Sequence, residues 1–179
     1  MESDEKESGL QMEAISSIMM EAVVIDLHYV ETGLYGPPSY GMMRIEDEMP
    51  NLLEAFNIAK KMSDALRENG NITLTNKYLN IIVGICGALG KFCFTRGYFN
   101  YGALFAKAGI EANIKLQRYK EASSQYVYLA QIQQRQFDLN GLEESIIELE
   151  KLTTKINDKG IKADIFRMKG NLEFDLKQY

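Results

Sequence analysis

The sequence predicts an all-α fold, a right-handed superhelical array of antiparallel helix pairs, and three observations support this. Apolar residues recur at helical spacing, no stretch alternates as a β-strand would, and turns rich in glycine or asparagine separate the helical stretches. Three stretches also follow one template, in which a large residue precedes a small one by four positions. Such a template builds a stacked array, because one helix pair cannot bury both of its apolar faces alone.

The template is clearest in its first copy, which extends over two predicted helices. Its positions are Cys86, Leu89, Gly90, Cys93, Gly97, Gly102, Ala106 and Gly109. The second copy has Gln133 where the small residue is expected, and the third begins Phe166-x2-Lys169-Gly170. The anchors Gly90, Gln133 and Gly170 lie 43 and 37 residues apart, which is similar to the helical hairpin of a tetratricopeptide repeat, about 34 residues long. Residues 75–179 are therefore predicted to form tetratricopeptide-like repeats.

The N-terminal part is predicted to hold one separate helix pair. Residues 1–9 are polar and are expected to be disordered, and residues 10–68 are expected to form the pair. Paired prolines between glycines in residues 33–41 separate its two helices, because proline cannot continue a helix. The second helix has apolar residues at steps of four and three, at Ile45, Met49, Leu52, Phe56 and Ala59. Pro50 falls within this seam, so we expect a kink or a restart there.

Five helices are predicted in the repeat region. They cover about residues 75–95, 99–116, 120–137, a stretch from the Asn140-Gly141 turn to Ile156, and 162–179. The second of these is expected to bury Leu104, Phe105, Ala108 and Ala112. The fourth carries an apolar stripe of Ile146, Leu149, Leu152 and Ile156.

The last predicted helix is apolar, although no further helix follows it. Its apolar residues are Ile165, Phe166, Met168, Leu172, Phe174 and Leu176. Because the end of a repeat array is normally polar on its outer side, we expect the array to be truncated at the C-terminus of this chain.

Two segments carry a family resemblance. Residues 45–56 read Ile-Glu-Asp-Glu-Met-Pro-Asn-Leu-Leu-Glu-Ala-Phe, and residues 92–105 form an aromatic-rich turn around Arg96-Gly97. Both resemble the helical region of STAND-type (NB-ARC-like) ATPase regulators, although Tyr101 and Phe105 replace that family's acid and tryptophan. The resemblance covers about residues 10–160. It implies a superhelical sensor or scaffold arm that holds an ATPase inactive, recognises an inducer or partner, and helps assembly.

Charge and hydropathy indicate which partners to expect. The formal net charge of −5 disfavours direct binding to nucleic acid backbones. The longest apolar stretch, residues 79–89, is much shorter than the roughly 20 residues that span a bilayer, so no membrane contact is expected. The acidic start lacks the features of a signal peptide, and Cys86 and Cys93 are too far apart on one helix for a disulfide. We therefore predict a cytoplasmic protein with reduced cysteines.

No residue pattern predicts catalysis, a metal or a cofactor. Residues 84–92 are glycine-rich, but their spacing does not match a phosphate-binding loop and they fall within a predicted helix. His28 has one neighbouring acid, Glu31, and two ligands do not make a metal site. Cys86 and Cys93 occupy apolar repeat positions and are read as core residues rather than nucleophiles. The chain is thus predicted not to be an enzyme.

The candidate binding residues lie on the first helices of the repeats, which line the concave wall of a tetratricopeptide-like array. Asp164, Arg167 and Asn171 form a polar stripe, in which guanidinium and amide groups could hold a carboxylate. Lys91 and Gln134 occupy the corresponding wall in the earlier copies. The alternative interpretation of this stripe is a solvated helix face.

The predicted function is non-catalytic recognition, as the sensor arm of a larger ATP-dependent signalling or transcriptional regulator. A protein or peptide partner is expected, and a small-molecule inducer and oligomerisation are compatible with it. Two alternatives stay open: a receptor groove for a small molecule or peptide, and a structural oligomerisation spacer.

Overall fold

The structure of the protein, a computed structural model, describes residues 38–177, apart from the side chains of residues 38–42, 44 and 91. All regular structure in this part of the chain is helical, which confirms the predicted all-α class. The helices are α1 Pro38–Glu68, α2 Ile72–Arg96, α3 Phe99–Lys115, α4 Tyr119–Arg135, α5 Leu139–Thr153 and α6 Lys159–Leu176. The predictions for residues 1–9, for a helix within residues 10–31 and for His28 lie outside the described residues.

The long first helix, α1, differs from the prediction at both of its prolines. It begins at Pro38, because a proline in the first turn costs no helical hydrogen bond, so the predicted break does not extend to Gly41. It also continues through Pro50, and the alternative of a restart there is wrong. The predicted apolar seam is otherwise confirmed by its residues that are at most 2% exposed, Ile45, Leu52, Phe56 and Ala59.

The chain divides into two compact units, the first ending at Ala88 and the second beginning at Leu89. In the first unit, the seam of α1 and the N-terminal part of α2 contain buried apolar residues. Those on α2 include Tyr78, Leu79, Ile82 and Ile85. The second unit contains the end of α2 and helices α3 to α6.

In the second unit, four helices start at equal intervals along the chain. They begin at Phe99, Tyr119, Leu139 and Lys159, each 20 residues after the one before. The connections before α3, α4 and α5 contain only two or three residues. A pair of these helices with its turns therefore takes 40 residues, which is longer than the template of about 34 residues.

The turns that precede α2, α3, α4 and α5 have the same hydrogen-bonding geometry. In each turn one residue has a positive φ, and the N–H of the next residue donates to the carbonyl oxygen five positions earlier at 2.8–2.9 Å. The residues with positive φ are Gly70 (71°), Gly97 (75°), Gln117 (59°) and Phe137 (57°). This is the Schellman motif, which pairs carbonyl groups that the helix end leaves open.

Two small residues of the first repeat copy, Gly90 and Gly102, pack closely against α4. The hydroxyl of Tyr128 donates to the carbonyl of Gly90, and its ring lies 3.4 Å from the point where a Cβ on that glycine would stand. A Cβ on Gly102 would lie 2.9 Å from Cδ1 of Ile132 and 3.4 Å from Cβ of Cys93. A Cβ on Gly102 would therefore displace Cδ1 of Ile132, whereas one on Gly90 would make an ordinary contact with the ring of Tyr128.

On its other side, α4 contacts α5 and α6 around one apolar cluster. The cluster is formed by Ala130, Leu142, Ile146, Leu149, Ile161, Ile165, Met168 and Leu172. Ile146, Leu149 and Leu152 confirm the predicted stripe of α5, whereas Ile156 lies in the following connection and packs against the cluster.

The predicted buried face of α3 is partly wrong. Phe105 and Ala112 are buried, but Leu104 is 43% exposed and Ala108 is only half-buried. The buried positions next to Phe105 are taken by smaller residues, Ala106 and Gly109. Bulk alone is therefore a poor guide to which side of α3 faces its neighbours.

The turn positions also correct the register of the second repeat copy. Counting from the positive-φ residues, Gly90 corresponds to Ala130, 40 residues on, rather than to Gln133. Ala130 is 1% exposed, so it is the small residue that the template requires. In the third copy a Cβ on Gly170 would meet no heavy atom within 4 Å outside the adjoining helix backbone, and Phe166 is 75% exposed. The prediction that these two residues form a packed seam is wrong, because α6 buries a different face.

Phe137 provides a test of the repeated turn. A phenylalanine at positive φ is strained by its Cβ, and its ring is 67% exposed, so burial of the ring does not offset much of the strain. We expect Phe137→Gly to raise the free energy of unfolding by about 0.5–1 kcal/mol, measured by urea denaturation. Phe137→Ala retains the Cβ and should bring no comparable gain. An equal gain in both variants would contradict the turn geometry.

Candidate functional site

The candidate binding residues lie on three helices. Asp164, Arg167 and Asn171 lie on α6, Gln134 lies on α4, and Lys91 lies on α2. Gln134 and Asn171 are half-buried, whereas Arg167 is exposed. The side chain of Lys91 is outside the part of the chain that the structure describes.

The structure brings Gln134 and Asn171 together across the contact between α4 and α6. Nδ2 of Asn171 donates to Oε1 of Gln134 at 3.3 Å, and Nε2 of Gln134 donates to Oδ2 of Asp175 at 3.3 Å. These distances are longer than those of strong hydrogen bonds. The three side chains therefore form a loosely bonded polar row, in which a ligand group could replace either bond.

The guanidinium of Arg167 is held by its own helix. Its Nη2 donates to Oδ1 of Asp164 at 2.9 Å, and the side chains of the pair are 51% and 38% exposed. An exposed ion pair of this kind stabilises the fold little. Because arginine carries five N–H donors, this contact leaves further donors for a ligand.

Sequence reasoning missed Asp175, although the signal was available. Asp164, Arg167, Asn171 and Asp175 follow one another at steps of three, four and four, which places them along one side of a helix. The carboxylate of Asp175 adds negative charge at the end of the row opposite Asp164. Together with Asp164 and Arg167, the row therefore forms a surface of mixed carboxamide and charged groups rather than a purely cationic site.

Apart from this row, a cleft lies between α3 and α5 and is lined at its base by side chains of α4. It is an open cleft of about 510 Å³, a size typical of ligand sites. Its floor includes Ile110, Leu129 and the half-buried Tyr126, and its α5 wall is polar. None of its residues belongs to the polar stripe of Asp164, Arg167 and Asn171 or to its counterparts Lys91 and Gln134.

The two cysteines are fully or almost fully buried. Cys93 has no exposed surface and Cys86 is 1% exposed. Burial raises the pKa of the Cys93 thiol to about 12, so the nucleophilic thiolate form is strongly disfavoured at neutral pH. This environment suits a packed core residue. In the described part of the chain, no group of three or more histidine, cysteine, aspartate or glutamate side chains could hold a metal ion.

One helix among the described residues, α2, is long and apolar enough to cross a membrane, by length and composition alone. An 18-residue window of this helix has a mean hydropathy of 1.5. About half of that window, 53%, is buried within the structure. Core helices of globular proteins pass the same test, so this property is weak evidence on its own.

Comparison with known proteins adds no assignment to these sites. No protein-family model matches the chain, and no curated protein matches it at a significant level.

Proposed function

We propose that this chain is a non-catalytic recognition scaffold, built as a right-handed superhelical array of antiparallel, tetratricopeptide-like helix pairs. The observation that carries this proposal is the repeated turn. Helices start every 20 residues in the second unit, and one Schellman geometry precedes α3, α4 and α5. Equal turns between helices of similar length favour a regular stack, and such stacks present extended surfaces to partners.

The packing of α4 gives the proposal further support. This helix contacts α6, the next helix but one, as well as its neighbours α3 and α5. In a stack of helix pairs, the first helices of successive pairs lie side by side and form the inner wall. The row of Asn171, Gln134 and Asp175 joins α4 to α6, so it would lie on that wall.

The chemistry of the row suits a peptide or a protein segment. A peptide backbone presents N–H and C=O groups, and carboxamides such as Gln134 and Asn171 can pair with both. Arg167 adds a planar donor that can hold a carboxylate through two bonds. A chain terminus or an acidic side chain of a partner is the group that we expect Arg167 to bind.

We also propose that the scaffold is the sensor arm of a larger ATP-dependent regulator. This part rests on the resemblance of residues 45–56 and 92–105 to STAND-type regulators. The reading frame of the parent gene tests it directly. A nucleotide-binding domain encoded immediately upstream would support the proposal, and a free-standing gene of this length would count against it.

Selection from a phage-displayed library of random peptides with free C-termini tests the recognition function. We expect the immobilised protein to enrich peptides that also bind it in solution. An Arg167→Gln, Asn171→Ala variant should bind these peptides at least about tenfold more weakly, which corresponds to 1.4 kcal/mol. Lys162→Gln is the control for charge, because it removes one positive charge from the same helix outside the row.

Two outcomes would contradict this proposal. If enriched peptides bound the double variant as tightly as the wild type, the row would not be the binding surface. If no peptide were enriched and light scattering showed a stable oligomer instead, the spacer alternative would replace the recognition function.

A further inference from the structure

The cleft between α3 and α5 has a polar wall that the fold does not fully use. Its wall and rim residues are Lys107 on α3, Gln133 on α4, and Asp138, Asn140, Gly141, Glu144, Ser145 and Glu148 on or next to α5. Beneath them, Ile110 and Leu129 are at most 6% exposed and form an apolar base. The cleft therefore combines an apolar floor with walls of charged and hydrogen-bonding side chains, as ligand sites do.

Gln133 is the buried polar group of this cleft. It is only 6% exposed, and its Oε1 accepts a hydrogen bond from Oγ of Ser145 at 2.7 Å. No hydrogen bond joins its Nε2 to another residue in the described part of the chain. The buried side-chain atoms without a hydrogen-bond partner in the described part of the chain are Oδ1 of Asn113 and Oε1 of Gln125, so Nε2 of Gln133 reaches the open cleft. There it can donate to a ligand acceptor such as a carbonyl oxygen.

Carboxylates dominate the charge of the cleft, with three acids against the single lysine Lys107. Asp138 is occupied as the helix cap of α5, and Glu148 pairs with Lys151 through an exposed contact of 2.6 Å. Glu144 makes no ion pair with any described residue. Glu144 and Glu148 are four residues apart on α5, so they lie on the same side of the helix and can act on one cation.

Tyr126 extends the acidic side of the cleft into its floor. Burial, and then the negative charge of Glu148, raise the pKa of its hydroxyl above the usual value. The phenol therefore stays protonated at neutral pH and remains able to donate a hydrogen bond. Its ring also offers an apolar face, on which the methylene stem of a lysine or arginine can pack.

We propose that this cleft binds a basic peptide segment of a partner protein, with a lysine or arginine side chain held by Glu144 and Glu148 and a main-chain carbonyl held by Nε2 of Gln133. The proposal rests on the recognition function proposed above and names its partner chemistry at a second surface. Charge complementarity selects this occupant, because the cleft is acidic and the unpaired Nε2 of Gln133 can donate to an acceptor close to the cation. An acidic peptide satisfies the donor but not the carboxylates.

Fluorescence anisotropy at low ionic strength tests this proposal. The probe is a short fluorescein-labelled peptide in which arginine and leucine alternate, and the comparison peptide has glutamate in place of arginine. We expect the arginine peptide to bind and a Glu144→Gln, Glu148→Gln variant to bind it at least about tenfold more weakly. Glu173→Gln, an exposed change of one charge on α6, is the control and should leave the affinity unchanged.

A second variant tests the carbonyl contact. Gln133→Met with Ser145→Ala removes both partners of the buried hydrogen bond and so should keep the fold, which urea denaturation checks. We expect this variant to bind the arginine peptide about two- to tenfold more weakly, the loss of one net hydrogen bond. Spermidine, which has no carbonyl group, should bind the variant and the wild type alike.

Three results would overturn the proposal: equal binding of the arginine and glutamate peptides, unchanged affinity in the Glu144→Gln, Glu148→Gln variant, or spermidine binding as tightly as the peptide. The last would assign the cleft to free polyamines. These variants leave Gln134, Arg167 and Asn171 intact. A negative result at the cleft is therefore distinguishable from a negative peptide selection at the polar row between α4 and α6.

Discussion

Replacing Phe105 with alanine should lower the free energy of unfolding by about 3–5 kcal/mol. Phe105 has no exposed surface and is among the largest fully buried side chains in the described part of the chain. Its loss removes the contacts of the whole ring and leaves a cavity that the neighbouring helices close only in part. Because folded domains are stable by about 5–15 kcal/mol, this change should move the midpoint of urea denaturation strongly.

Phe166→Ala is the matched control for this prediction. It makes the same chemical change on a helix, but the ring of Phe166 is 75% exposed, so we expect an effect within about 0.5 kcal/mol. The difference between the two variants then reports burial rather than helix propensity. Similar losses in both would mean that the register assigned to α6 is wrong.

Helix positions and much of the core could be predicted from the sequence because they depend on local spacing. The stripe of Ile146, Leu149 and Leu152 repeats at the period of a helix, and all three are buried. In α1 the same spacing identified Leu52 and Phe56 correctly. An apolar side that recurs every three or four residues must face other parts of the protein, whichever helix covers it.

The register of the repeats could not be predicted, because it depends on which helix lies alongside. Gly90 and Gly170 look alike in sequence, yet Tyr128 packs against the first, while a Cβ on the second would meet no heavy atom within 4 Å outside the adjoining helix backbone. Two of the repeated turns could also not be recognised in the sequence. Gln117 and Phe137 adopt positive φ, a conformation that sequence reasoning assigns to glycine, so the 20-residue interval is visible only in the structure.

The two surfaces differ in how far the sequence could reveal them. Gln134 and Asn171 were assigned to one wall from their corresponding positions in the repeat copies, and a hydrogen bond joins them although the structure changes that register. The pairing of Gln133 with Ser145 was not anticipated, because it depends on how the turn at Phe137 returns α5 against α4. Residues on one helix can be related by counting, whereas contacts across a turn require its dihedral angles.

Gly141→Ala should lower the free energy of unfolding by about 2 kcal/mol, although alanine ordinarily favours a helix over glycine by about 1 kcal/mol. A Cβ at this position would overlap Oδ2 of Asp138 and lie 2.7 Å from Nε2 of Gln133. Asp138 caps α5 by accepting the N–H of Gly141 at 3.0 Å, so displacing it removes the cap. Shifting Gln133 also strains its buried bond to Ser145.

Gly170→Ala supplies the comparison that gives this result its meaning. Gly170 lies within α6 with no heavy atom within 4 Å of its would-be Cβ, so alanine should raise the free energy of unfolding by about 1 kcal/mol. The two substitutions are identical in chemistry and both lie in helices, yet opposite signs are expected in urea denaturation. A gain in both variants would show that Asp138 and Gln133 do not crowd Gly141, and the geometry assigned to the cleft wall would then be wrong.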